Sequence, residues 1–150
     1  MSENLKTLLE QAHHQGEYAA LLQRIPYAAL IGIECSRLGD ELLFRLPANK
    51  DNIGNPLLPA LHGGVIAGFM ELAAALHLLI FTGSPEVPKI IDFSLDYLSA
   101  GRFRDTFARC RVCRQGRRVA NVAITAWQST ADEPIATARA HFKIQDRTGS

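Results

Sequence analysis

The stretch GGVIAGFMELAAALHLLIF, residues 63–81, decides how this chain folds. It is too long for a β-strand, and alanine, leucine and methionine, which favour helices, dominate it. The stretch therefore predicts an α-helix of about 20 residues. Because apolar residues cover every side of that helix, we expect it to be buried on nearly all sides.

The predicted helix is also nearly long enough to cross a bilayer. It carries Glu71 near its centre, together with His77 and three glycines, and patterns typical of amphipathic strands follow it. Ionisable side chains are costly inside a membrane. We therefore expect a helix buried in a water-soluble fold, with no membrane as partner.

Strand patterns lie on both sides of the helix. Before it, residues 29–36 and 41–46 predict two strands joined by a turn at 38–40, and residues 47–59, rich in Asn, Pro and Gly, predict a loop. After it, apolar and polar residues alternate, as in strands with one buried face. The alternation and the short links between segments predict four antiparallel strands, at residues 91–97, 103–114, 118–129 and 135–145.

These elements predict an α+β fold, with an antiparallel sheet wrapped around a long central helix. Two strands precede the helix, and a four-strand antiparallel meander follows it. Leucines at helical spacing predict one or two short helices within residues 3–24, separated at Gly16. We therefore divide the chain into an N-terminal helical extension, residues 1–24, and a main domain, residues 25–150. So apolar a central helix needs further cover, which we expect from a second subunit.

Composition excludes several classes of protein. The 150 residues are 47% hydrophobic and 21% charged, as in a soluble globular domain, and the net charge of +1 favours no nucleic acid as partner. Three cysteines and an N-terminus without a signal-peptide pattern predict a reducing, cytoplasmic location. Cys110 and Cys113, three residues apart on a predicted strand, face opposite sides, so we expect no metal site.

His62-Gly63-Gly64 stands where the predicted loop becomes the helix. Glycines weaken a helix by about 1 kcal/mol each relative to alanine, but they let a ligand approach the backbone closely. The first amides of a helix lack intrahelical partners and lie at the positive end of its dipole, where they can stabilise an oxyanion. A glycine pair that only turns the chain fits the sequence equally well. His62 could hold a substrate carbonyl, a water or the loop itself.

Glu71 is the only carboxylate in the predicted helix. A charged group among apolar residues has to be paired, protonated or open to a cavity. A carboxylate in an apolar cleft suits a general base or a nucleophile, whereas a glutamate on a solvent-exposed side would have no such role. His77 lies about 240° around the helix from Glu71, so we interpret it as structural or interface-facing.

At these residues the sequence resembles a known family. His62-Gly63-Gly64, six further residues and an acid at position 71 resemble the HGG-x6-[D/E] signature of PaaI-like hotdog-fold acyl-CoA thioesterases. The sequence from IDFSLDYLSAGRF, which starts at residue 91, to ARAHFKI, which ends at residue 144, resembles the strands of that family. The resemblance covers about residues 25–145 and leaves the N-terminal helices outside.

The resemblance implies a hotdog fold that hydrolyses a coenzyme A thioester as substrate, without a further cofactor. It implies a homodimer, often paired into a tetramer, whose active sites take the glutamate from one chain and the glycine amide from the other. Gly64 would polarise the thioester carbonyl, Glu71 would act as nucleophile or general base, and His62 would help to position the carbonyl or the Gly-Gly turn. The residues implied to bind coenzyme A are Gly63, Ser99, Gly101, Arg102, Arg117 and Arg118.

Two positions depart from the family pattern. Many members have Asn or Gln six residues before the histidine, where it orients a water; here that position is Pro56, with Asn55 as the nearest substitute. Members with a glutamate often carry Ser or Thr one turn later, where this chain has Ala75. The apolar residues around Glu71 predict an apolar acyl group, aryl or medium-chain, bound by Phe69, Met70 and Leu76.

Two alternatives stay open. A non-catalytic acyl-CoA-binding hotdog protein is favoured by the missing hydroxyl at Ala75. A hotdog acyl dehydratase is suggested by the loop GNPLLP at residues 54–59. In those enzymes a catalytic histidine stands three residues before the glycine, where this chain has Asp51. Their acid follows six residues after the second proline, where this chain has Val65.

Overall fold

The chain folds around one long central helix. The computed structural model describes residues 2–82 and 86–144. The helices are α1 (Ser2–Gln15), α2 (Ala19–Gln23), α3 (Pro26–Ile31) and α4 (Gly63–Thr82), and a short 3-10 turn spans Lys50–Asn52. The strands are β1 (Glu34–Leu38), β2 (Glu41–Leu46), β3 (Ile53–Asn55), β4 (Ala60–Leu61), β5 (Lys89–Tyr97), β6 (Thr106–Gln115), β7 (Val119–Trp127) and β8 (Ala136–Lys143).

The central helix α4 has the 20 residues that its sequence predicts. Its length and mean hydropathy of 2.0 would also suit a membrane span, but most of its apolar side chains form the core of the fold against the sheet. One side of the helix is less buried than its composition predicts. Gly64 is exposed there, and Glu71 and Leu72 are half-buried. The half-open side gives Glu71 access to a ligand.

Six strands form one antiparallel sheet in the order β1-β2-β6-β7-β8-β5. The predicted alternation in β8 is confirmed, because Ala136, Ala140 and Phe142 are buried in the core. Residue 145, predicted as the end of this strand, lies outside the described residues.

The predicted four-strand meander is wrong in its first step. β6, β7 and β8 are consecutive neighbours, but β5 pairs with β8 and not with β6. Residues 98–105 therefore connect opposite sides of this group of strands and form no hairpin. The alternation of apolar residues identifies a strand but carries no information about its neighbours, and α4 delivers the chain to the far edge of the sheet.

Three helices precede the sheet. α1 and α2 are separated at Gly16, whose φ of 72° only glycine adopts easily, as predicted. The prediction of a strand from residue 29 is wrong, because α3 covers residues 29–31 and β1 begins at Glu34. Pro26 at the first position of α3 and Gly32 at its C-cap, with φ of 79°, explain this helix.

The first hairpin and the loop after it follow the predicted outline. Leu38 pairs with Glu41, which leaves Gly39-Asp40 as a two-residue turn, and Gly39 has a φ of 64°. The loop over residues 47–59 contains the 3-10 turn and β3, which pairs with β4 just before α4. This small ribbon, which the sequence patterns did not predict, leads the chain into the helix.

β5 lies at an edge of the sheet with one side unpaired among the described strands. Its predicted apolar face is half-buried at Phe93 and Leu95, but Ile91 and Tyr97 are 55% and 54% exposed. The register shifts between Ile90 and Asp92, which moves the start of the strand out of the alternation. A nine-residue edge with exposed apolar side chains can pair with another strand.

His77 faces away from the open side of α4. Its ring lies against Phe81, with ring centroids 4.6 Å apart, and its Nδ1 has no hydrogen-bond partner among the described residues. Burial lowers the pKa of His77 to about 4. Between that value and the ordinary value of about 6.5, the unfolded chain binds a proton that the folded chain does not.

We therefore expect the protein to lose stability as the pH falls from about 6.5 towards 4, and His77→Leu to reduce that loss. Thermal unfolding measured at pH 7.5 and at pH 5 checks this, because the decrease in Tm between the two should be smaller in the variant. His14→Leu, at an exposed histidine of α1, is the matched control. An unchanged pH dependence in His77→Leu would show that His77 does not destabilise the fold at acidic pH.

Candidate active site

The approach to α4 is fixed by main-chain hydrogen bonds. The amide of His62 donates to the carbonyl of Asn52 at 2.8 Å, and the amide of Leu61 donates to the carbonyl of Gly101 at 2.8 Å. Gly54 passes so close that an added Cβ there would lie 2.8 Å from the Cα of His62. The turn into the helix is therefore held from two sides, by the loop before β4 and by the loop after β5.

His62 caps the helix with its side chain. The amide of Gly64 donates to Nδ1 of His62 at 2.9 Å, and the carbonyl of His62 accepts the amide of Val65 at 3.0 Å. Because Nδ1 accepts, the neutral ring carries its proton on Nε2. The amide predicted to bind an oxyanion is thus occupied by an uncharged acceptor, and the donor left on the ring is its Nε2–H.

Tyr97 fixes the peptide between the two glycines. Its hydroxyl donates to the carbonyl of Gly63 at 2.6 Å, from the last residue of β5. That carbonyl and the amide of Gly64 belong to the same peptide group. A hydrogen bond to the carbonyl withdraws electrons from the peptide, so it orients the Gly64 amide and strengthens it as a donor. The sequence patterns did not predict this hydrogen bond, because Tyr97 looked like one more apolar residue of an alternating strand.

Glu71 lies on the same side of α4 as Gly64. Glu71 comes seven positions after Gly64, which places the two within about 20° around the helix and about 10 Å apart along it. Glu71 is half-buried, and it has no hydrogen-bond or ion-pair partner within residues 2–82 and 86–144. A carboxylate without such a partner beside apolar residues is available to a ligand or a water.

The predicted coenzyme A residues fall into two groups. Gly63, Ser99, Gly101 and Arg102 lie at the end of the sheet where α4 begins. Gly101 is buried, and an added Cβ would lie 2.9 Å from the Cδ1 of Ile66, so its small size serves packing. This loop is fixed at Arg102, whose amide and carbonyl both bond to the side chain of Gln128.

The same loop is tied to the first hairpin at Asp105. Its carboxylate accepts the amide of Ala48 at 2.8 Å and pairs with Arg45 at 2.8 Å. The Ala48 amide, and secondly the Arg45 guanidinium, hold the pKa of Asp105 below its usual range. Asp105 is therefore ionised at neutral pH and holds the end of the loop in place.

Arg117 and Arg118 lie at the other end of the sheet. The register places Lys89, the first residue of β5, beside Lys143, which in turn faces Val119 next to these arginines. Tyr97, at the site, is the last residue of β5, so about 25 to 30 Å of strand separate the two groups within one chain. Arg117 and Arg118 line an open pocket of about 650 Å³ together with Arg114, Asn121 and His141.

Other predicted residues are placed differently from expectation. Asn55 is exposed, and its Oδ1 accepts the amide of Leu57 at 3.0 Å, so it stabilises its own turn. The prediction that an acyl pocket is lined by Phe69, Met70 and Leu76 is wrong. All three side chains are 0% exposed and belong to the core of the fold. Within the described residues, no group of three or more His, Cys, Asp or Glu could hold a metal ion.

Comparison with known proteins decides the family. The sequence model of the thioesterase superfamily matches residues 58–135, which include the turn at His62, Glu71 and most of the sheet. The chain belongs to the thioesterase superfamily. Its resemblance to PaaI-like thioesterases and its hotdog fold are thereby confirmed. Among curated proteins, none matches this chain.

Several solved structures share the fold. A protein from Chromobacterium violaceum is 42% identical, with a TM-score of 0.77 over 97% of this chain and 98% of its own. A phenylacetic acid degradation-related thioesterase from Ralstonia eutropha is 21% identical, with a TM-score of 0.67 over 80% and 90% of the two chains. A Bacillus halodurans protein solved with CoA is 20% identical, with a TM-score of 0.70 over 95% and 91%.

In this thioesterase we expect Tyr97→Phe to lower kcat about tenfold with little change in KM, because the Gly64 amide loses its orientation but not its place. Since Tyr97 is 54% exposed, Tm should change little. Steady-state cleavage of octanoyl-CoA and benzoyl-CoA measures the effect. Tyr18→Phe is the matched control, because the buried Tyr18 hydroxyl has no hydrogen-bond partner in the described part of the chain. Equal turnover in both variants would contradict the role of Tyr97.

Proposed function

We propose that this protein is a cytoplasmic acyl-CoA thioesterase that cleaves apolar acyl-CoAs, aryl or medium-chain. The observation that carries the proposal is the amide of Gly64 at the exposed start of α4, with Glu71 on the same half-open side. The first is a preorganised donor for an oxyanion, and the second is a base or nucleophile. The coenzyme A bound to the Bacillus halodurans protein of the same fold supports this class of substrate.

The oxyanion is proposed to replace His62 as the acceptor of the Gly64 amide. As the thioester carbonyl is attacked, its oxygen becomes negatively charged and a stronger acceptor than a neutral imidazole nitrogen. Interactions that strengthen only in the transition state raise kcat. The Nε2–H of His62 offers a second donor to the same oxygen, and the positive end of α4 favours the charge.

Glu71 has two chemical routes, both of which end in a carboxylic acid and a free thiol. As a general base it takes a proton from a water whose oxygen attacks the carbonyl carbon, and the carbon–sulfur bond then breaks. As a nucleophile it attacks that carbon itself and expels the thiolate, which leaves an anhydride that water hydrolyses. A proton then reaches the thiolate in either route.

Within a single chain, the Gly64 amide and Glu71 do not reach the carbonyl of the same thioester. The Gly64 amide and Glu71 are about 10 Å apart along the helix, whereas reacting atoms need to approach to about 3 Å. We propose that the protein is a homodimer formed along the exposed β5 edge, with each site taking Gly64 from one chain and Glu71 from the other. A further pairing of dimers into a tetramer is part of the same proposal.

The dimer also explains the two groups of coenzyme A residues. If two β5 edges pair antiparallel, the start of one strand lies beside the end of the other. Arg117 and Arg118 of one chain then come to the end of the sheet that carries Gly63, Ser99, Gly101 and Arg102 of its partner. Arginine forks suit the phosphates of a coenzyme A bound between these two groups.

We expect Glu71→Gln to lower kcat by about 10²- to 10⁴-fold, because the amide neither accepts the proton nor attacks the carbonyl. Thiol release from butyryl-, octanoyl-, decanoyl-, benzoyl- and phenylacetyl-CoA measures this. Glu41→Gln, at an exposed residue next to the β1–β2 turn, is the matched control. Cleavage that survives Glu71→Gln undiminished would show that the mechanism is wrong.

Mixing two inactive variants tests the shared site. Gly64→Pro removes the amide donor in the first helical turn, where proline is tolerated, and Glu71→Gln removes the carboxylate. Co-expressed, they should recover about a quarter of wild-type activity, because half of the dimers are mixed and one of their two sites is intact. If each site were built from one chain alone, the co-expressed variants would recover no activity, and the shared site would be wrong.

One observation favours a second function. Ala75 has no hydroxyl, and the Gly64 amide is bonded to His62, so the chain could bind acyl-CoA without cleaving it. Calorimetric binding of octanoyl-CoA by a wild type that releases no thiol would favour this function over hydrolysis.

A further inference from the structure

The half-open side of α4 carries a third glycine, which lies between Gly64 and Glu71 in the sequence. Gly68 lies four residues after Gly64 and three before Glu71, within about 60° of both around the helix. Glycine is unfavourable in a helix interior, so its presence there points to something that passes close to the backbone. The neighbour in this structure is Tyr27.

Tyr27 lies directly on Gly68. An added Cβ at Gly68 would be 2.6 Å from the hydroxyl oxygen of Tyr27 and 2.7 Å from its Cε1, closer than any side chain allows. The ring therefore rests on the bare backbone of α4. Tyr27 belongs to α3, which precedes the region matched by the thioesterase superfamily, residues 58–135.

The ring is also open to a ligand. Tyr27 is 41% exposed, so part of the ring contacts α4 and part faces outward. Phe69, Met70 and Leu76, the residues first predicted to bind the acyl group, are fully buried and cannot line a pocket. Of the residues on the half-open side, Tyr27 presents a large apolar surface between Gly64 and Glu71.

We propose that Tyr27 is a specificity-determining residue, whose ring forms a wall of the acyl pocket over Gly68 and limits the size of the acyl group. The inference rests on the proposed thioesterase function. In the proposed dimer the thioester carbonyl lies at Gly64 of one chain, and Gly68 is about one turn further along the same helix, so an acyl chain that follows this helix meets the Tyr27 ring. The ring occupies the space that a longer chain would need, and Gly68 keeps the ring against the helix.

The test compares acyl-chain selectivity in matched variants. The values of kcat/KM for butyryl-, hexanoyl-, octanoyl-, decanoyl- and benzoyl-CoA are measured for the wild type, Tyr27→Phe and Tyr27→Ala. Leu30→Ala is the control, because Leu30 lies on the same helix and is 76% exposed. Gly68→Ala is a second route to the same effect, since its methyl group would displace the ring.

We expect Tyr27→Ala to raise the ratio of kcat/KM for decanoyl-CoA over butyryl-CoA at least about tenfold, since single methylenes in an apolar pocket are worth that much. Tyr27→Phe and Leu30→Ala should keep the wild-type ratio. Gly68→Ala alone should shift the ratio. In a chain that already carries Tyr27→Ala, adding Gly68→Ala should cause no further shift.

Three results would overturn the proposal. If the wild type cleaves these thioesters and the ratio is unchanged in both Tyr27→Ala and Gly68→Ala, Tyr27 is not a wall of the pocket, and the proposed function stands. If the ratio shifts equally in Leu30→Ala, the effect belongs to α3 as a whole. If the wild type releases no thiol from any acyl-CoA, the proposed function fails and the role of Tyr27 fails with it.

Discussion

The side chains of α4 pack against strands β2, β5, β6, β7 and β8, and this packing sets the positions of the residues that the helix carries. Each leucine or isoleucine removed from water there contributes about 1.5–3 kcal/mol. The sheet covers one side of the helix and leaves the opposite side half-open. That side is where the glycines and the one carboxylate of α4 lie. The sheet and α3 of a single chain therefore cover the helix incompletely, and we propose that a ligand and a second chain cover the remaining surface.

The start of α4 is held by several hydrogen bonds from residues outside the helix. Main-chain bonds from Asn52 and Gly101 fix the approach, His62 caps the first turn, and the Tyr97 hydroxyl holds the carbonyl of Gly63. Such a set of contacts orients one amide, that of Gly64, within a narrow range. Stabilising a developing charge depends on donors that need no reorganisation when the charge appears. The local structure is thus suited to chemistry even where the glycines also have packing roles.

The sequence predicted those parts of the molecule that depend on local patterns. The length of α4, the Gly39 turn and the buried alternation of β8 follow from residue type and period alone. The order of the strands did not follow, because pairing of β5 with β8 depends on where α4 ends in space. α3 was mistaken for strand because ALI in residues 29–31 suits either structure, although Pro26 and Gly32 mark a helix start and a helix end. The positions of Gly64 and Glu71 were predictable by motif, but the contacts of Tyr97 with Gly63 and of Tyr27 with Gly68 were not, since only the fold creates them.

The distance between the two groups of predicted coenzyme A residues bears on how the protein assembles. Arginines at one end of β5 and a glycine turn at the other end cannot meet one ligand within a single chain. The proposed antiparallel pairing of two β5 edges would bring the two groups together, and it would involve the strand that carries Ile91, which is exposed in one chain. In the proposed dimer, the half-buried Glu71, which has no partner in the described residues, would lie at the contact between the two chains. Under that proposal, a base desolvated only in the assembled dimer would be reactive only there, so the burial of one charge would link oligomerisation to catalysis.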